Sequence, residues 1–197
     1  MSDGDRPINL DFKALTITSL LFGFFLIPIH EFGHVLCDWI TGHPASMSYA
    51  RDHLLSGGST PFLGLLGGPL LPLILSAIAV GQIARRANVS VFYPVAILGS
   101  IDRLALYSAG ILPSDERDLA QAIGWNPYSF KYIFLSVELA LLLLVVISLI
   151  RYKVGVKAAA AIFVIPLLSF VAGAAFGVLV VERYLFPVQY GIQFGGS

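Results

Sequence analysis

Residues 14–40 read ALTITSLLFGFFLIPIHEFGHVLCDWI, an apolar run long enough to cross a bilayer, with His30-Glu31-Phe32-Gly33-His34 inside it. Roughly 20 apolar residues in a helix span the ~30 Å hydrocarbon core, and this run exceeds that. The H-E-x-x-H spacing sets two imidazoles four residues apart, on one helical face and within reach of one cation, with Glu31 beside them. Zinc held by three protein groups keeps a fourth position for water, lowers that water's pKa to about 7 and requires a nearby carboxylate to take the proton. His30 and His34 therefore read as metal ligands and Glu31 as the general base. The plainer reading is of histidines that only satisfy hydrogen bonds in a core. It meets an energetic obstacle: an ionisable group at the centre of a membrane helix costs roughly 2.5–3.5 kcal/mol, so three within five residues need a compensating partner, and a divalent cation is one.

The rest of the chain continues the membrane pattern. Of its 197 residues 57% are hydrophobic and only 12% charged, with a mean hydropathy of +0.83, whereas soluble domains carry about 25% charged residues. Apolar runs at 14–40, 61–84, 91–112, 130–150 and 158–181 predict about five spans. Lipid offers no hydrogen bonds, so the spans are expected to be helices and the fold an all-α, multi-pass transmembrane bundle. Little soluble mass remains, and 1–197 reads as one integral membrane domain without an internal repeat, its metal-site core at approximately 14–124 and further helices at 130–181. Trp39, Trp125, Tyr128 and Tyr132 fall near span ends, where aromatic rings favour the interface. The balanced charge offers no basic patch and excludes nucleic acid as a partner. The lone Cys37 excludes an intramolecular disulfide. The first apolar run does not read as a cleavable signal, because it ends in the metal motif and not in a small-residue cleavage site.

The connector 41–60 carries Gly42, Pro44, Gly57 and Gly58 and reads as a loop or short hairpin beside the metal helix, with His43 and His53 as solvated loop histidines. Gly67-Gly68-Pro69 in the second span reads as a packing feature that allows close helix approach. Cys37 lies nearly two turns after His30 on the same stripe. A fourth protein ligand would close the site to water, so Cys37 is read as a packing residue.

His30-Glu31-Phe32-Gly33-His34 at the end of a first core helix, Gly67-Gly68-Pro69 after it and Pro113-Ser114-Asp115 further on resemble the site-2-protease class of intramembrane zinc metalloproteases over roughly 15–124. In that family a downstream N-x-x-P-x-x-P-x-D-G motif supplies the aspartate that completes the zinc site, and Pro113-Ser114-Asp115 resembles its P-x-D portion. The resemblance implies Zn2+ as cofactor and Asp115 as third ligand. It implies a substrate-binding role at the asparagine position, taken here by Tyr107, whose hydroxyl can donate from a longer arm. The glycine after the aspartate is replaced by Glu116. Asp102 remains the rival third ligand, since an acid in the middle of the third span needs a cause, with Glu116, Asp118 or a loop histidine behind it. Adjacent residues point to different sides of a helix, so Asp102 and Arg103 each call for a partner of their own.

These readings give an intramembrane zinc-dependent endopeptidase, a metalloprotease and hydrolase, acting on membrane-spanning or membrane-associated proteins or peptides within the lipid bilayer. A prokaryotic cell membrane is its expected location, and the oligomeric state stays open. A non-proteolytic zinc-binding membrane protein is the first alternative, and an ion- or proton-coupled transporter using Asp102 and Arg103 is the second. Lys and Arg outside the spans number seven on the N-terminal side and four on the other, which predicts a cytoplasmic N-terminus, whereas the resemblance predicts the reverse.

Overall fold

Asp11 starts the first helix: its Oδ1 accepts the amides of Lys13 and Ala14 at 2.9 and 3.1 Å, satisfying donors that have no partner within the helix. The computed structural model describes residues 10–55, 61–86 and 89–185, without the side chain of His53. Gly57 and Gly58 of the connector lie outside the described residues. α1 is Phe12–Ile40 and carries Pro28 within it. A short antiparallel hairpin follows, β1 Ala45–Met47 with β2 Asp52–Leu54. Then come α2, Phe62–Ala84; α3, Val89–Ser108; α4, Ser114–Ala122; and α5, Ser129–Arg151. α6, Val156–Phe176, continues through a π-helical stretch, Gly177–Glu182, to a last turn at Arg183–Leu185.

Five helices among the described residues are long and apolar enough to cross a membrane: α1, α2, α3, α5 and the continuous run Val156–Leu185. The fold is an all-α multi-pass bundle in which α1 packs on α2, α3 and α6, and α3 on α2 and α5. Its polarity is inverted relative to a water-soluble protein. On α5, Leu143, Ile147 and Ile150 are exposed while Glu138 is fully buried, and elsewhere Glu116, Asp38 and Glu182 are buried too. Apolar side chains facing outward suit lipid, and buried acids call for internal partners. Trp39, Trp125, Tyr128 and Tyr132 are all exposed near helix ends.

The third span is shorter than the hydropathy predicts, ending at Ser108 and not at Leu112. Gly110 adopts φ +75°, and the amides of Gly110 and Ile111 return to the carbonyls of Tyr107 and Leu106, a left-handed cap that closes the helix. The chain then turns at Pro113 into α4, which the hydropathy reading does not anticipate. Asp115 and Glu116 stand in the first turn of α4, where carboxylates suit the positive end of the helix dipole, and Leu119 and Ala120 bury its inner face against Phe130 and Phe134 of α5.

α1 and α2 cross backbone to backbone. A Cβ on Gly67 would overlap the carbonyl of Gly33, and one on Gly33 would overlap that of Gly67. Gly67→Ala is therefore expected to lower the melting temperature, because overpacking against backbone costs about 1–3 kcal/mol. Gly81→Ala, where a Cβ meets nothing within 4 Å, is expected to be neutral or to raise it. Thermal unfolding in detergent compares the two, and equal shifts would rule out this packing account.

The hairpin is latched onto α1 and the end of the last helical run. The buried Glu182 carboxylate accepts the Ser48 hydroxyl at 2.9 Å and the Ala50 amide at 3.3 Å, and the Tyr49 hydroxyl donates to the Phe24 carbonyl at 2.7 Å. The π-helical stretch, whose wider turn re-aims side chains, ends on Glu182.

Candidate metal centre

His30 and His34 lie ten and six residues before the end of α1, ~15 and ~9 Å along its axis. The sequence places them on one face, and their partners fix which nitrogen each presents. His34 Nδ1 lies 2.7 Å from the Gly64 carbonyl oxygen, so it carries the proton and leaves the Nε2 lone pair free. His30 Nδ1 lies 3.6 Å from Asp102 Oδ2, a charge contact just beyond hydrogen-bonding distance. The two Nε2 atoms then face each other at 3.1 Å, with Asp115 Oδ2 at 3.2 Å from His30 Nε2 and 3.5 Å from His34 Nε2.

This triangle provides a test of metal fit. Donors at 2.0–2.2 Å from a tetrahedral zinc stand ~3.3–3.6 Å apart, close to the three separations here. Two imidazole nitrogens and a carboxylate oxygen lie within 3.5 Å of one another, a donor set that borderline-soft Zn2+ accepts. His30, His34 and Asp115 are the only such cluster of metal-binding side chains among the described residues. Asp102 approaches the opposite nitrogen of His30 without joining the triangle. Cys37 stays outside the cluster and packs where Gly67 leaves room. His43 is tied to Thr41 at 3.2 Å. Asp118 pairs with Arg117 at the surface of α4.

The Gly-Gly-Pro segment shapes the site as well as the helix crossing. A Cβ on Gly68 would overlap the His34 ring, and Gly64 one turn earlier supplies the carbonyl that fixes that ring. Composition alone shows only small residues there. Their use as a cradle depends on the α1–α2 crossing.

The sequence asks a partner for Arg103 but does not place it at this site, and the structure does. Arg103 is buried on α3, and its Nη2 donates to Asp115 Oδ2 at 2.6 Å and lies 2.8 Å from Nε2 and 3.3 Å from Nδ1 of His30. Because Nη2 approaches both ring nitrogens, it sits beside the imidazole and not along the Nε2 lone-pair axis. Arg103 Nε stands 3.1 Å from Glu116 Oε1, without a hydrogen-bonding angle, and 3.9 Å from Asp102 Oδ2. Glu138 Oε1 accepts the Arg103 amide at 2.9 Å. Burial alone would raise the Asp115 carboxyl, but the adjoining His30 and His34 rings and the Arg103 charge together hold it far below the usual carboxylate range. Burial raises the Glu116 carboxyl, and the Arg103 charge and the Tyr107 hydroxyl offset this only in part.

Tyr107 takes a different place from the one expected. It is buried, its hydroxyl donates to Glu116 Oε1 at 3.0 Å, and it does not line the cavity. The two positions that depart from the resembled motif thus pair with each other. The spacing of Arg103 and Tyr107, one helical turn apart, was the available signal for a shared face.

A cavity of about 530 Å³ opens over the triangle, lined by Glu31, Asp102, Arg103 and Ser114 on its polar side and by Ile27, Leu106 and Phe170 on its apolar side, with Ala50, Arg51 and Asp52 of the hairpin as one wall. Glu31 is half-buried and shares this cavity with all three donors. The fold and site define a multi-pass helical bundle with a His/His/Asp cluster at the base of a cavity. Comparison of the chain with protein-family models, with curated proteins and with solved structures finds no match.

Proposed function

We propose that this chain is a zinc-dependent endopeptidase that cleaves membrane-spanning or membrane-associated proteins within or beside the bilayer, the host membrane on this reading being prokaryotic. The observation that carries the proposal is Glu31 sharing one cavity with the His30, His34 and Asp115 donor triangle. A zinc ion held by those three groups would polarise a carbonyl and acidify water. Glu31 takes the proton from the attacking water and later delivers it to the departing amine. The Gly64 carbonyl keeps the His34 imidazole turned with Nε2 inward, and Asp102 lies on the Nδ1 side of His30. Ile27, Leu106 and Phe170 receive apolar side chains of the substrate and exclude water from the reacting groups. A helical substrate has its carbonyls engaged in hydrogen bonds, so cleavage is directed to frayed or interrupted stretches.

The test uses purified protein in liposomes with a panel of single-span peptides carrying helix breakers. Chelator treatment is expected to remove cleavage of at least one peptide, and added zinc to restore it. If zinc-loaded protein leaves every peptide intact, the non-proteolytic zinc-binding reading replaces this one. That second reading is favoured by one observation, the pairing of Tyr107 with Glu116 away from the cavity. A transporter reading has less support, since Asp102 and Arg103 find partners within the site itself.

A further inference from the structure

We infer that Arg103 receives the scissile carbonyl oxygen of the substrate and stabilises the negative charge that develops on it, an inference that rests on the peptidase reading above. Its guanidinium is hydrogen-bonded through Nη2 to Asp115 Oδ2 at 2.6 Å, and the Glu116 carboxylate stands 3.1 Å from Nε as a charge partner. Glu138 on α5 holds its backbone amide at 2.9 Å. Among the described residues Nη1 has no hydrogen-bond partner, and Arg103 lines the cavity alongside Glu31. A planar, permanently charged fork held through Nη2 thus leaves Nη1 to meet a substrate carbonyl in that cavity. Tyr107 does not compete for this role, because its hydroxyl is engaged with Glu116 and stands off the cavity.

The chemistry requires such a donor. The water oxygen forms a bond to the carbonyl carbon, the C=O π pair moves onto the carbonyl oxygen, and Glu31 takes the water's proton. When the C–N bond breaks, that pair returns to form the carboxyl group and Glu31 passes its proton to the amine. The full negative charge on oxygen exists only between these two events. A buried, charged donor that is already held in place needs no reorganisation at that moment. Burial of Arg103 among Asp115, Asp102 and Glu116 keeps it charged and in place.

The experiment compares zinc-loaded wild type, Arg103→Gln and Arg103→Lys, each checked for metal content, using a peptide that the wild type cleaves. Two binding constants are measured. One is for a phosphinic analogue with a tetrahedral centre in place of the scissile carbonyl; the other is for the intact peptide, with Glu31→Gln added to prevent turnover. Arg103→Gln is expected to weaken the analogue and to lower kcat by about 100-fold or more, while the intact peptide's Kd changes by less than about threefold, as differential binding of the transition state requires. Arg103→Lys keeps the charge without the fork and is expected to lose about 10-fold on the analogue alone. Equal weakening of both ligands, or an unchanged kcat, would show that Arg103 only positions Asp115 and would overturn the inference. If Arg103→Gln fails to fold or to hold zinc, Arg103→Lys decides: an analogue affinity equal to that of the wild type overturns it. Zinc-loaded wild type that binds no phosphinic analogue overturns the peptidase reading, and this inference with it.

Discussion

Glu31→Gln is expected to retain its fold and zinc but to cleave a membrane-embedded peptide at least about 100-fold more slowly than wild type, the lower end for removing a general base. Glu31 lines the cavity above the donor triangle and is not one of its three members. The carboxylate can therefore take a proton from water without being needed to hold the ion. The amide keeps size and shape and loses basicity, so metal binding and turnover should separate at this residue. Product formation and metal content measured on the same liposome preparations check it. Cleavage by Glu31→Gln at the wild-type rate sinks the mechanism even with zinc present.

The second large effect concerns the ion. His30→Ala, His34→Ala and Asp115→Ala are each expected to lower zinc affinity by more than about 100-fold, and Asp102→Ala by about 10- to 100-fold, the range found when a group that only orients a ligand is removed. Asp115 Oδ2 stands 3.2 Å from His30 Nε2, on the side where His34 Nε2 also points, whereas Asp102 approaches Nδ1 at 3.6 Å. Removing Asp115 also strips Arg103 of its closest partner and leaves a buried charge that is less well compensated. Competition with a zinc-binding dye gives the affinities. Normal affinity in Asp115→Ala with loss in Asp102→Ala would exchange the two roles.

The sequence alone determined the helical, multi-pass character of the protein, because apolar runs of span length have one solution in lipid, where every backbone group must find its partner within the segment. It also determined that His30 and His34 share a face, since a four-residue spacing on a helix is local geometry. The hairpin was legible as far as its turn residues, and Gly67-Gly68-Pro69 as far as close packing. Tertiary structure decided the remainder. Hydropathy could not show that the third span stops at Ser108, because the stop depends on the left-handed conformation of Gly110. Which of Asp102 and Asp115 faces Nε2 depends on how α3 and α4 meet α1, contacts between residues 72 and 85 positions apart along the chain. The same is true of Arg103. Its place beside His30 and Asp115 follows from the crossing of α3 with α1 and from the grip of Glu138 on its backbone amide. A single sequence carries local periodicity and composition, while the meeting of distant charges is set by the packing of whole helices around the Gly33–Gly67 crossing.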